Sequence, residues 1–310
     1  MPAEHPAAAR TRCDVAILQI KPRKGEYRHN FQAVGEIFTQ LSGAPPDLIV
    51  LPEAALTGYF LEGAVYDLAR PAAAFAADLA DAWKSTGRAA PVDIAAGFYE
   101  NDSGTYYNSA LYIEVTETGH RIAHVHRKMF LPTYGVFDEE RFLSRGRKLS
   151  VFETRFGRMA LLICEDMWHS IMPTIAAIKG ARCLIVPSAA PGRGVEAEES
   201  DELESITVWR SLLSAAASEH GVFLIYAGLT GFEGGKGMTG SSCIIDPRGK
   251  IIVKAPALGS CILRAKLDLQ EVDAARAGLP LLGDLSAALP DLLLDDELPL
   301  PRRSGDAAGH

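Results

Sequence analysis

Through most of the chain, short apolar runs alternate with longer stretches in which apolar residues recur at helical spacing. The short runs predict strands at 13–20 (CDVAILQI), 47–52 (DLIVLP), 92–99, 106–115 (YYNSALYIEV) and 121–127. Further strands are predicted at 158–163, 183–188 (CLIVPS), 222–228 (VFLIYAG), 241–246 and 261–267. The helical spacing predicts helices over 26–42, 67–85, 170–180 and 201–219, the last with acids near its start. This mix is that of an α/β layered protein, but the central strands arrive in pairs with no long helix between them. One hairpin is expected around Thr118-Gly119 and another around Pro247-Gly249. Mixed sheets covered by helices, in a single domain spanning 13–276, follow from that pattern.

The ends read differently. Residues 1–12 carry no apolar run and are expected to be a flexible N-terminus, without the apolar core of a secretion signal. Residues 191–202 (PGRGVEAEESDE) read as a mobile acidic loop before a helix. From about 277 the chain is rich in Leu, Pro and Asp, and 277–310 reads as an extended arm with a frayed end.

Composition narrows the function. The chain has 310 residues, 48% hydrophobic and 23% charged, enough to bury a large core. Its 39 acids against 31 Lys plus Arg give a formal charge of −8, which argues against broad nucleic-acid or anionic-membrane binding. No stretch reaches the roughly 18 uncharged apolar residues of a membrane span. Five cysteines without a CxxC pair fit a reduced, cytoplasmic protein.

Three reactive residue types stand just beyond apolar runs: Glu53 after LIVLP, Lys128 after IAHVHR and Cys164 after ALLI. Taken singly, each has a plainer reading: a helix cap, a solvated edge residue, a small packed residue. Together they offer a chemistry. A carboxylate removes a thiol proton, the thiolate attacks an acyl carbon, and a lysine supplies charge to the tetrahedral oxygen. The same lysine is expected to lower the thiol pKa of Cys164. Other signals are weaker. His124 and His126 lie two apart in a strand but have no third ligand for zinc. No G-x-S-x-G surrounds Ser188, Ser241 or Ser242. The GGKG at 234–237 lacks the spacing of a phosphate loop and reads as a flexible, close-packed loop.

The segments LPEAALTGY, HRKMFLP and LLICEDMW, in this order, resemble the nitrilase superfamily of carbon–nitrogen hydrolases, over about residues 13–268. The resemblance implies a four-layer α-β-β-α sandwich that pairs into a homodimer, with the C-terminal segment reaching towards the partner. It implies Glu53 as general base, Lys128 as stabiliser of the tetrahedral intermediate and Cys164 as nucleophile. A second glutamate, matched best by Glu139, would orient the lysine, and no metal or cofactor is implied. The backbone N–H of Glu165 is expected to help hold the oxyanion. Tyr59, Tyr134, Trp168 and His169 are candidate substrate contacts, and Phe60, Tyr99, Phe137 and Phe232 are further aromatics that could line a pocket. The acids after Cys164 could attract an amine-bearing substrate or simply shape the loop.

The stretches LPTYGVFDEERF and ICEDMW look particularly like the glutamine-hydrolysing part of glutamine-dependent NAD synthetases. Nothing in the remaining sequence could supply an ATP-using synthetase. The expected function is therefore a free-standing amidase that cleaves a small primary amide to an acid and ammonia. Alternatives are ammonia donation to a separate synthetase partner, a nitrilase or carbamoyl-amine hydrolase, or an inactive binding protein.

Overall fold

A computed structural model of the protein describes residues 10–87, 90–193 and 203–294. Most of the expected flexible N-terminus, most of the acidic loop and the frayed end lie outside the described residues. The first strands are β1 (Arg12–Gln19), β2 (Leu48–Val50), β3 (Val92–Asp102), β4 (Thr105–Val115) and β5 (His120–Arg127). Then come β6 (Phe152–Thr154), β7 (Gly157–Leu161), β8 (Cys183–Ser188), β9 (Phe223–Gly228), β10 (Thr230–Glu233) and β11 (Lys236–Thr239). The last are β12 (Cys243–Ile245), β13 (Ile251–Lys254) and β14 (Cys261–Asp268). The helices are α1 (Tyr27–Ser42), α2 (Val65–Leu68), α3 (Ala72–Lys84), α4 (Ile171–Ile178), α5 (Glu204–His220), α6 (Gln270–Gly278) and α7 (Leu281–Leu293).

Two six-stranded mixed sheets form, in the orders β14-β1-β2-β3-β4-β5 and β13-β12-β9-β8-β7-β6. Parallel pairing holds β1, β2 and β3 in one sheet and β7, β8 and β9 in the other, with antiparallel strands outside them. Alternation along each strand explains the layers. In β1, Cys13, Val15 and Ile17 enter the core between the sheets, while Ala16 and Leu18 face the core under α1 and α3. In β4, Ala110 and Tyr112 take the first face and Leu111 and Ile113 the second. Both faces are covered, so these strands read as nearly unbroken apolar runs. On α1, Asn30, Val34, Phe38 and Leu41 form the buried stripe. Helices α4 and α5 cover the second sheet, completing the α-β-β-α sandwich.

Both expected hairpins are present, at β4–β5 and β12–β13. Elsewhere the sequence reading needs correction. The helix expected over 67–85 is two, because Pro71 cannot continue a helix from α2 and instead precedes the first turn of α3. The strand expected at 158–163 ends at Leu161. Of the stretch read as a flexible loop at 234–237, Gly234 and Gly235 form the turn of the β10–β11 hairpin and Lys236 and Gly237 begin β11. The extended arm expected from 277 is helical over Leu281–Leu293, and α7 packs on α4 and α5. Among the described residues no helix is long and apolar enough to cross a membrane.

Candidate active site

Glu53 sits three residues beyond β2, which is threaded between β1 and β3. Its backbone lies directly on Gly97 of β3: a Cβ built there would meet Glu53 Cα at 2.5 Å and the Pro52 carbonyl oxygen at 2.8 Å. Glycine is therefore what lets the chain carrying Glu53 settle on the sheet. Lys128 follows β5, and its N–H donates to the Asn108 carbonyl of β4 at 2.8 Å. Arg127 anchors the strand end, its fork donating to Glu100 at 2.8 and 2.9 Å and reaching Asp102 at 2.6 Å. Cys164 begins the 3-10 turn Cys164–Trp168 with φ +43°, a left-handed conformation costly for a side-chain-bearing residue.

The two sheets bring these residues to one pole. Glu53 and Lys128 are fully buried and Cys164 is 5% exposed. Glu53 Oε2 accepts from the Ala189 N–H, just after β8, at 2.7 Å, a bond that ties one sheet to the other. Glu53 Oε1 accepts from Lys128 Nζ at 2.9 Å and Asn108 Nδ2 at 2.7 Å. Glu139 Oε1 accepts from Lys128 Nζ at 2.9 Å, Asn108 Nδ2 at 3.0 Å and the Tyr59 hydroxyl at 2.5 Å. One lysine is thus clamped between two glutamates that share an asparagine.

Charge bookkeeping follows from this geometry. Burial opposes the Lys128 ammonium, but Glu139 and Glu53 override it and hold its pKa well above the ordinary lysine value. Glu139 is pushed up by burial, against the pull of Lys128. Cys164 corrects the sequence expectation of a lowered thiol pKa. Burial and the Glu53 charge raise it far beyond the ordinary thiol range, more than Lys128, the Ser188 hydroxyl and the Ala189 N–H lower it. The resting group is a neutral thiol.

Capacity for chemistry can be counted. An ammonium has three donors, and Lys128 uses two on the glutamates, leaving one for an oxyanion. Glu53 has accepted three hydrogen bonds out of about four sites, leaving one on Oε2 for a proton.

Cys164 opens into a cleft of about 320 Å³ lined by Tyr134, Phe137, Glu165, Trp168 and Arg193, among others. The Tyr134 hydroxyl lies 2.9 Å from both Glu165 oxygens. Tyr134, Trp168 and Glu165 therefore all border the cleft that Cys164 opens into. Tyr59 does not line this cleft; it holds Glu139 and borders a second cavity of about 250 Å³ with Phe60, Tyr99 and Glu139. His169 stacks on Phe130 at 3.6 Å between ring centres and is outside the cleft lining. Phe232 is 64% exposed and lines neither cavity.

Of the two acids after the cysteine, only Glu165 faces the cleft. Asp166 is buried and shapes the loop: Oδ1 accepts from the N–H groups of Met129 and Phe130 at 2.9 and 3.1 Å, and Oδ2 from Ile163 at 3.0 Å. His126 Nε2 lies 2.8 Å from Asp166 Oδ2, which uses the histidine as a strut; His124 stacks on Phe152. Among the described residues no cluster that could hold a metal ion is formed.

Sequence reading missed Asn108, Ser188 and Glu233. Asn108 and Ser188 carried a signal, a buried polar residue next to a run of apolar strand positions. Ser188 stands by the thiol and lies 3.3 Å from the Tyr226 hydroxyl. Glu233 of β10 accepts from the Tyr59 and Phe60 N–H groups at 2.8 and 3.1 Å and so fixes the loop after Glu53.

A stacked pair of mixed sheets between helices, with a buried cysteine, lysine and glutamates at one pole, defines a class of cysteine hydrolase. Residues 14–277 match the carbon-nitrogen hydrolase family, and the chain belongs to it: it is a cysteine-nucleophile enzyme acting on a carbon–nitrogen bond. It is 27% identical over 267 residues to the glutamine-dependent NAD(+) synthetase of Thermotoga maritima, covering 84% of this chain but 43% of that protein. It is 28% identical over 272 residues to the 2-oxoglutaramate amidase of Bacillus subtilis, covering 87% of this chain and 96% of the amidase. The crystal structure of a carbon-nitrogen hydrolase from Helicobacter pylori G27 superposes with a TM-score of 0.78 at 26% identity, covering 91% of this chain and 98% of that one.

Proposed function

We propose that the protein is an amidase that hydrolyses a small primary amide through a thioester on Cys164. The observation that supports this most directly is the buried network in which Glu53 and Glu139 share Lys128 and Asn108 beside the thiol. Glu53 Oε2 takes the Sγ proton as sulfur attacks the amide carbon; concerted removal suits a thiol that is neutral at rest. The free donor of Lys128 and the backbone N–H of Glu165 meet the oxyanion. When the intermediate collapses, the proton on Glu53 passes to the nitrogen and ammonia leaves. Glu53, again a carboxylate, then draws a proton from water, which attacks the thioester and frees the acid. Glu139 and Asn108 keep Lys128 charged and aimed.

The synthetase relatives support a second reading, glutamine hydrolysis with ammonia passed to a separate synthetase. The chain spans less than half the length of those relatives, while the 2-oxoglutaramate amidase is matched over nearly its whole length. Within the same proposal the protein pairs into a homodimer through the segment from 277. A reducing cytoplasm suits its five free cysteines.

The test is ammonia release from glutamine, asparagine, aliphatic and aromatic amides, carbamoyl amines and nitriles. Wild type and Cys164→Ala would be compared, with intact-mass detection of an acyl adduct. Turnover of amides that vanishes in the variant is the expected result. Preference for a nitrile or carbamoyl amine would move the reading to those alternatives. No turnover, with Cys164 inert to acylating probes in folded protein, would replace it with a binding role.

A further inference from the structure

Ser188 ends β8 as a fully buried hydroxyl. The parallel register of β7 on β8 pairs Met159 with Cys183, Ala160 with Leu184 and Leu161 with Ile185. Beyond it the Leu162 N–H still donates to the Ile185 carbonyl at 3.0 Å. Carried on to Cys164, the same offset arrives at Ser188, and the Ser188 hydroxyl hydrogen-bonds the Cys164 sulfur. On the other side of β8, Tyr226 of β9 is paired with Val186. Side chains alternate along a strand, so Tyr226 shares a face with Val186 and Ser188. Its hydroxyl donates to Ser188 Oγ at 3.3 Å. Three neighbouring strands thus bring a phenol, a hydroxyl and the thiol into one row.

The row has a direction. A serine hydroxyl has one proton to give and lone pairs to receive another. The buried Tyr226 hydroxyl fills a lone pair of Ser188 Oγ, which leaves the Ser188 proton for the sulfur. The Trp209 ring packs on Tyr226 with centres 5.1 Å apart and holds the phenol in place. Other donors at the sulfur are committed elsewhere. The Ala189 N–H is shared with Glu53 Oε2, 2.7 Å away, and two of the three Lys128 donors are taken by glutamates, the third being left for an oxyanion. The sulfur gains negative charge when Glu53 removes its proton and again when the thioester is cleaved, and such charge in a buried place needs a donor. We propose that Ser188 is a further catalytic residue, donating a hydrogen bond to the Cys164 sulfur as it becomes a thiolate, and that Tyr226 is the positioning residue that aims it. Ser188 keeps its own proton throughout; the proton that moves still passes between Sγ and Glu53. The use of this contact in turnover rests on the amidase reading above.

The test reads the sulfur directly. Alkylation of Cys164 by iodoacetamide at fixed pH is followed by peptide mass, which keeps it apart from the other four cysteines. Wild type, Ser188→Ala, Ser188→Thr, Tyr226→Phe and the double variant Ser188→Ala/Tyr226→Phe are compared. Ser188→Ala is expected to slow alkylation about 10- to 100-fold, the size of one hydrogen bond to a charged group, and Tyr226→Phe about 3- to 10-fold. Ser188→Thr should regain most of the rate because it restores the hydroxyl. The double variant should be no slower than Ser188→Ala, since the tyrosine acts through the serine. With the amide that wild type turns over best, kcat should fall by similar factors while KM stays within about twofold. Equal alkylation of wild type and Ser188→Ala, a wild-type sulfur inert to the reagent included, overturns the proposal, as does a double variant in which the two losses multiply. Should Ser188→Ala fail to fold, Tyr226→Phe, which removes one oxygen, decides: an unchanged rate overturns the proposal. The expected alkylation pattern in a protein that turns over no amide upholds the contact and rejects the amidase reading instead.

Discussion

At the scale of single residues, the thiol shows how position overrides chemical type. Lys128 does favour a thiolate at Cys164, yet burial and the Glu53 charge outweigh it. A pKa raised in the folded protein leaves the thiol protonated across neutral pH, so wild type and Cys164→Ala should have the same thiolate absorbance near 240 nm from pH 6 to 9. A Cys164-dependent step below pH 8 would show an ionised resting sulfur instead. Asn108 is the second case. Its amide donates to both glutamates, keeping two carboxylates on one lysine from repelling each other unscreened. Asn108→Ala should lower kcat about 10- to 100-fold and cost about 1–3 kcal/mol of stability, as two buried charge-assisted bonds are lost. Activity assays and urea melts on the same preparation measure both.

At the scale of elements, the site depends on how closely backbones approach. Gly97 on β3 lies against the chain that carries Glu53, and Gly146 lies against the carbonyl of Arg127, beside Lys128. Gly97→Ala must push the Glu53 segment off the sheet. We expect overpacking to cost about 1–3 kcal/mol and the activity to fall by more than that stability loss explains. A variant that melts lower but turns over normally at 25 °C would show that Glu53 tolerates the shift. The short strut from Asp166 belongs to the same scale. By accepting from Ile163 on one side and from Met129 and Phe130 on the other, it locks the turn that starts at Cys164 to the segment after Lys128. The β10–β11 hairpin does similar work through Glu233 for the loop carrying Tyr59.

At the scale of the whole molecule, two stacked sheets converge on one pole and leave a helical edge uncovered. Helix α7 has no buried residue, and Leu292, Leu293 and Leu294 around its end are 56%, 51% and 78% exposed. Apolar side chains in such a row are consistent with the proposed homodimer. Sedimentation should give a dimer for the wild-type chain and a monomer for Leu292→Glu/Leu293→Glu, with helix content unchanged by circular dichroism. A dimer that survives the double substitution would place the interface elsewhere.

The sequence by itself determined the parts that depend on local pattern. Apolar runs located ten of the strands, glycine-bearing turns located two hairpins, and Glu53, Lys128 and Cys164 stand just beyond apolar runs. Where it misplaced elements, a local competitor intervened, as when Pro71 split one helix in two. Only the tertiary structure decided which groups meet. Glu53 reaches the Ala189 N–H across 136 positions, and Asn108 reaches Glu53 across 55, because the sheets stack and not because of any spacing along the chain. Burial is likewise a property of the assembled fold. It set the direction of the Cys164 ionisation, and the parallel sheet set Ser188 beside that thiol; neither is written in the residues alone.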